Sequence, residues 1–259
     1  MTSTFTRALL RKPGHSYVQG ITTSHEGAPN LAKALEQHAA YAAALQSLGL
    51  AIEVLEADEA YPDGTFVEDT AIVTPKDGVI TRPGAASRAG ETAAIEAALS
   101  RSFAHLRHIT QPGTVDGGDI CETDDGVLIG VSHRTNEEGA RQLGLHLGDM
   151  GLKAIIVDIR PIDGLLHLKT GISYIGEGRM AVAEDMAGLP FLKGYQPVVV
   201  PREEAYASNC IAVNGRVIVA AGYPRFIETL DRLGAKPLAL EMSEFRKMDG
   251  GLSCLSLRF

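Results

Sequence analysis

FVEDTAIVTPKDGVITRPG (66–84) opens on acids, runs through a short apolar stretch, turns at Lys76-Asp77-Gly78 and continues into a second apolar stretch. Two β-branched runs around a Gly-containing turn predict a β-hairpin. The layout recurs. GGDICETDDGVLIGVSHRTN (117–136) turns at Asp124-Asp125-Gly126, LHLKTGISYIGEGRMAVAED (166–185) at Gly176-Glu177-Gly178, and NCIAVNGRVIVAAGYPR (209–225) at Asn214-Gly215. A fifth unit starts at GGLSCLSLRF (250–259), where alternating polar and apolar residues predict a short strand carrying Cys254. The chain ends there, so the missing partner strand is FTRALLR (5–11), at the other terminus.

Helical patterns lie between the hairpins. Asn30 to Leu48 is amphipathic, with Asn30 as N-cap and Gly49 just past its end. Ser87 opens a helix to Leu99, Thr135-Asn136-Glu137-Glu138 reads as a capping box for a helix to Leu147, and Pro224 to Leu233 is stopped by Gly234. Apolar strands, AIIVDI (154–159) and PVVVP (197–201), follow. Hairpin, helix and strand repeated five times predict an α/β fold, a five-bladed α/β propeller with pseudo-fivefold repeats closed by pairing of the N- and C-terminal strands. Residues 1–259 then form a single propeller domain. An α+β domain with unrelated hairpins is the alternative that the pattern alone leaves open.

The bulk properties exclude several functions. Hydrophobic residues make up 45% and charged residues 22%, an ordinary globular composition. A formal charge of −8 with no Lys/Arg run disfavours nucleic acid and anionic membrane surfaces as partners, and suits a small cationic substrate. No secretory signal and no membrane-length apolar stretch is visible in the sequence. Three widely separated cysteines, Cys121, Cys210 and Cys254, predict reduced thiols in a cytoplasmic setting. The sequence leaves a monomer or a homodimer open.

Chemistry-bearing residues open each unit: Glu68 and Asp69, Asp116 and Asp119, His167, Asn209 and Cys210, then Cys254. Singly, each has a plainer reading, as a buried thiol, a core histidine or a solvated acid. In a ring of repeats, equivalent positions converge, and a thiol, an imidazole and carboxylates together supply covalent catalysis. There is no CxxC or HExxH, and His105-Leu106-Arg107-His108 has an intervening arginine, so no metal is expected. Gly117-Gly118 lies in no phosphate-loop pattern, so no nucleotide is expected either.

DGTFVED (63–69), ITRPGAASR (80–88), PGTVDGGD (112–119), RTNEEG (134–139), LHLKTG (166–171) and DGGLSCLSLRF (249–259) together resemble the dimethylarginine dimethylaminohydrolases. These are guanidine-modifying enzymes with a five-bladed α/β propeller, and the resemblance covers essentially the whole chain. It implies hydrolysis of Nω-methylated L-arginines to citrulline and an alkylamine, without a cofactor. Cys254 is then the nucleophile and His167 the general acid and base. Asp69 partners the guanidinium, and Asp116 holds His167 or shares that partnership. Asp63, Glu68, Arg88 and Arg134 resemble the other substrate contacts, with both arginines meeting the α-carboxylate. The backbone carbonyls of Ile21 and Met248 resemble those that receive the amino-acid end. Many relatives carry Glu where this chain has Asp116.

Adjacent residues on a regular strand face opposite sides, so Glu68 and Asp69 reach one ligand only if the strand bends or ends there. An arginine deiminase-like hydrolase is the nearest alternative. Those enzymes resemble this propeller with an added helical insertion, and carry an acid two residues beyond the histidine, where this chain has Lys169. A non-catalytic propeller that binds a partner would have no reason to align a cysteine, a histidine and acids. QGITTSHEG (19–27) reads as a lid over the axial site.

Overall fold

The hairpin turns adopt the backbone that their residues favour. Asn214 and Gly215 both take positive φ (+46° and +84°), as a two-residue hairpin turn requires, and Glu177 between Gly176 and Gly178 also lies at +55°. The computed structural model describes residues 4–75 and 77–259. Lys76, in the turn expected at 76–78, lies outside them.

Strands β1 (Arg7–Arg11) and β2 (Ala51–Leu55) form a parallel pair joined through helix α1 (Leu31–Ser47). Three-stranded sheets follow. The first holds β3 (Ala71–Val73), β4 (Gly78–Ile80) and β5 (Leu106–His108), and the second β6 (Ile120–Thr123), β7 (Gly126–Val131) and β8 (Ala154–Asp158). Next come β9 (Ile172–Gly176), β10 (Arg179–Ala183) and β11 (Gln196–Val200), then β12 (Ile211–Val213), β13 (Arg216–Ala220) and β14 (Pro237–Leu240). In each, the first strand runs antiparallel to the second and the second parallel to the third. The last strand, β15 (Leu257–Arg258), pairs antiparallel with β1 in the register Ala8–Arg258 and Leu9–Leu257. The C-terminus therefore supplies the inner strand that the N-terminal sheet lacks.

Helices α2 (Thr92–Leu99), α3 (Glu137–Asp149) and α5 (Pro224–Arg232) make the parallel crossovers in three sheets. A single helical turn, α4 (Leu168–Gly171), precedes β9. The β10–β11 crossover has only 3₁₀ turns, Glu184–Met186 and Pro190–Leu192. Asn30 caps α1 through its side chain on the Lys33 amide. Two boundaries differ from expectation. Ala86–Arg88 is a separate 3₁₀ turn, with the helix starting at Thr92. At α3 the cap is Asn136, accepting from the Gly139 amide at 2.7 Å, while the Thr135 hydroxyl is taken by the Asp116 amide instead.

Burial explains the ring. Each of five apolar clusters draws on two consecutive sheets: Leu9 and Leu257 with Ile80, Ile72 and Val79 with Ile129, Leu128 with Ile172, Ala181 with Val217, and Ile218 with Leu10. The last contact returns to the first sheet and completes the circle. Full burial of one Leu or Ile is worth about 1.5–3 kcal/mol, so no sheet keeps its core without both neighbours. Among the described residues, no helix is long and apolar enough to cross a membrane.

The chemistry-bearing positions lie on tight turns that lead into the first strand of each sheet, not on the strands. These are Val67–Thr70, Gly117–Asp119, α4, Arg202–Ser208 and Ser253–Leu255. The expected strand through Cys254 is thus shortened to Leu257–Arg258, and the cysteine sits on the turn before it. A 3₁₀ turn repeats every three residues, which frees Glu68 and Asp69 from strand alternation and lets both face inward.

Candidate active site

The turns meet at one end of the ring axis, and their backbones approach very closely. A Cβ on Gly117 would lie 1.9 Å from the Glu68 carbonyl, and one on Gly118 would lie 2.7 Å from Nδ1 of His167. The Gly-Gly pair is thus a packing device between turns. The Gly250-Gly251 pair serves similarly, with a Gly251 Cβ 2.4 Å from the Asn209 side chain.

His167 stands in extended backbone at the start of α4, its amide donating to Thr170 Oγ1 at 3.3 Å. Its Nε2 meets Asp116 Oδ2 at 3.2 Å, and Asp116 Oδ1 accepts from the Gly84 amide at 2.7 Å. Asp116 thus bridges the imidazole and the Gly84 backbone. Burial works against the imidazolium, but the Asp116 hydrogen bond and the charges of Asp69 and Asp119 outweigh it and lift His167 to about 9. Asp119 fixes the same turn from beneath, accepting from the Leu168 amide at 3.0 Å and from Ser132 Oγ at 2.7 Å.

Asp69 accepts from the Gly118 amide at 2.8 Å and from Arg88 Nη1 at 2.6 Å. Burial alone would raise its carboxyl, but the Arg88 and His167 charges hold it down at about 2. Ligand atoms of Asp69, Asp116 and His167 lie within 4.8 Å of one another, a cluster able to hold a cation. Arg88 already fills one side of it.

Arg88 itself is deeply enclosed. It is 5% exposed, and its Nε and Nη2 bind Glu91 at 2.8–3.1 Å while Nη2 also donates to the Phe66 carbonyl at 3.0 Å. One Nη1 hydrogen is left for a ligand, and the rest of the guanidinium braces Asp69 and Glu91. Arg134 is different. Among the described residues its side chain has no hydrogen-bond partner, and its charge acts on Asp63. Asp63 in turn accepts from the Ile21 amide at 3.0 Å, and burial raises its carboxyl despite Arg88 and Arg134. A Cβ on Gly20 would touch both Asp63 and Met248, so Ile21, Asp63 and Met248 share one rim. Thr23 of the expected lid is tied to Asp249 through its amide at 2.5 Å and its hydroxyl at 2.9 Å.

Cys254 is half-buried on its turn, and its Sγ accepts from the Gly251 amide at 3.4 Å. Burial, then the charges of Glu68 and Asp69, push the thiol up to about 12, against the weaker pull of Gly251 and Lys169. The neighbouring Ser253 binds Glu68 at 2.7 Å through its hydroxyl and Asn209 at 3.0 Å through its amide. Glu68 also pairs with Lys169 at 2.5 Å. Ser253, Asn209, Lys169 and Glu91 thus hold the site together. Asn209 stands at one of the converging repeat positions and Lys169 two residues beyond His167. Ser253 and Glu91 were not among the expected contacts, and of these only Glu91 had a local signal, three residues after Arg88.

The arginine deiminase family model matches residues 59–189. The N(G),N(G)-dimethylarginine dimethylaminohydrolase of Pseudomonas aeruginosa is 45% identical over 98% of this chain and 100% of its own. The chain belongs to the dimethylarginine dimethylaminohydrolase family. A crystal structure of that Pseudomonas enzyme, a Cys→Ser variant complexed with citrulline, superposes with a TM-score of 0.96 at 44% identity, covering 99% of this chain and 100% of the other. A His→Gly dimethylarginine dimethylaminohydrolase carrying an S-methyl-L-thiocitrulline adduct superposes at 0.95 and 45% identity, covering 98% and 100%. The five-sheet ring is therefore the fold of this family, with an α/β architecture closed by its own termini.

Proposed function

We propose that this protein hydrolyses Nω-methylated L-arginines, the asymmetric dimethyl and monomethyl forms, to L-citrulline and dimethylamine or methylamine. The observation that carries the reading is the placing of the Cys254 thiol beside Glu68 and Asp69, where burial and then those two charges push its pKa up. A guanidinium bound beside it offsets those charges and lowers the thiol's pKa, so the substrate activates its own nucleophile. The P. aeruginosa relative bears the same enzyme name and has been seen with citrulline.

The geometry supports the following residue roles. The thiolate of Cys254 attacks the central guanidinium carbon, held edge-on by carboxylates of the Asp69 region. His167, an imidazolium near neutrality, gives its proton to the departing nitrogen as the C–N bond breaks. A thiouronium remains on Cys254. The neutral imidazole then takes a proton from water, which adds to the same carbon, and collapse releases citrulline and the thiolate. The further proton freed in collapse ends on the alkylamine. Asp63, Arg134 and the carbonyls of Ile21 and Met248 receive the amino-acid end.

The second reading is an arginine deiminase-like hydrolase, favoured by the family model that matches. Lys169 argues against it. The position two beyond His167 holds a cation bound to Glu68, which removes a polar contact from the guanidinium edge and fits one carrying methyl groups. The cellular setting proposed is cytoplasmic, where Cys121, Cys210 and Cys254 stay as the free thiols observed.

The test is citrulline release from asymmetric dimethylarginine and from arginine, in chelator, by the native protein and by Cys254→Ser. Turnover of the methylated substrate alone, abolished by the substitution, is expected. Equal turnover of arginine moves the assignment to a deiminase, and activity lost to the chelator assigns the Asp69–Asp116–His167 cluster to a metal.

A further inference from the structure

A cavity of about 530 Å³ runs along the ring axis on the far side of the site. Its inner end is floored by Glu68, Lys169 and Ser253, and its outer end reaches the hairpin turns at Asp124 and Glu177. Cys254, His167, Asp63 and Arg134 do not line it. The catalytic turn and the cavity are thus separated by a floor of side chains. That floor is one carboxylate gripped by one lysine and one hydroxyl, at 2.5 and 2.7 Å. Of these three side chains Lys169 has the longest and most flexible arm.

The chemistry gives this space a use. When the first C–N bond breaks, the citrulline-forming part stays bonded to Cys254, with its amino-acid arm extended toward Ile21, Asp63, Arg134 and Met248. That arm fills the route by which the substrate arrived. The alkylamine must leave before water can take its place, or it re-attacks the thiouronium and restores the substrate.

We propose that the alkylamine leaves through the axial cavity, with the Lys169–Glu68 pair as its gate. This rests on the hydrolase reading above. The amine crosses as the neutral base, having taken the electron pair of the broken bond and the proton of His167. It meets Glu122 on the cavity wall, whose carboxylate has no hydrogen-bond partner among the described residues and is free to accept an N–H. Beyond Glu122 it takes up the proton freed in the second half of the reaction.

Ala212 on β12 lines the cavity and has part of its surface open to it, so Ala212→Trp plugs the passage far from the arm-binding rim. The variant should lower kcat/KM for asymmetric dimethylarginine by ~10-fold or more and for monomethylarginine by clearly less, since that step spans amine departure. Added dimethylamine should inhibit the variant more strongly than the native protein, and citrulline inhibition should stay within about twofold, the arm-binding rim being intact. Unchanged kcat/KM for both substrates, or an equal loss for both, overturns the proposal. Should Ala212→Trp fail to fold, Asp124→Trp at the exposed outer mouth is read by the same criteria. If the native protein turns over no methylated arginine, it is the hydrolase reading that fails.

Discussion

At one end of the ring axis five turns bring acids, a histidine, an arginine and a thiol together in a largely buried setting. At the other end, hairpin turns carry ordinary surface residues and hold their shape through local backbone preference. The inner end keeps charges that folding alone would expel: Asp69, Glu91, Arg88 and His167 are all at least nine-tenths buried. Each is retained only because another opposes it, as unpaired buried charge is costly. The outer end has no such dependence. Asn214 and Glu177 sit in left-handed backbone that hairpin turns favour, and neighbouring residues could change without altering the turn. One end is therefore held by mutual compensation and the other by independent local choices.

The largest effect that tests this contrast is at His167. Removing the acid and base with His167→Ala should lower kcat by ~10²–10⁴-fold with the fold intact. The pH profile carries the sign. The folded imidazolium persists to about 9, above the ordinary histidine value, so the acid is present below that pH and is lost above it. Turnover should fall on the alkaline side of about 9, and Asp116→Asn should move that limb to lower pH. An alkaline limb unaffected by Asp116→Asn would detach His167 from the carboxylate that holds it.

A smaller but still large effect is expected where compensation is broken without touching the reacting groups. Glu91→Ala leaves Arg88 with Asp69 as its one contact ion pair among the described residues, both side chains being buried. Losing one member of a buried pair costs about 3–5 kcal/mol, read as a lowered urea midpoint at unchanged slope. A loss below about 1 kcal/mol would mean that Asp69 and the Phe66 and Asp63 carbonyls hold Arg88 without Glu91, and that the site is less interdependent than its contacts suggest.

How much of this was legible in the sequence divides along the same line. The outer end could be read directly, because Asn214-Gly215 and Gly176-Glu177-Gly178 encode their turns locally and the repeat supplies the ring. The seam followed too, since GGLSCLSLRF and FTRALLR each lack a partner within their own unit. The inner end resisted. A 3₁₀ turn has no hydrophobic period to betray it, so the sequence pattern points to a strand through Cys254 and a helix from Ser87. The repeat brings Glu68 and Asn209 to equivalent positions, but the bonds of Ser253 and Lys169 to Glu68, across up to 185 positions, follow no spacing rule. Arg88 shows the limit most clearly. Its residue type suits a carboxylate ligand, and only its surroundings reveal that Glu91 and Asp69 already use it.

The smallest expected effect lies at the outer seam. The Asn214 side chain accepts from the Phe5 amide at 2.9 Å and donates to the carbonyls of Phe5 and Leu48, both at 2.9 Å. It thereby stitches the fourth full sheet to the strand that closes the ring. Asn214→Gly keeps the positive φ without strain and deletes those bonds. The bonds are exposed to water, so their net worth is about 1–2 kcal/mol, a lowering of Tm by a few degrees with turnover at 25 °C unchanged. A loss of turnover beyond twofold at a temperature where the variant is fully folded would show the two ends to be coupled through the strands. The inner turns would then depend on ring closure, and the contrast between compensated and independent ends would have to give way to one continuous network.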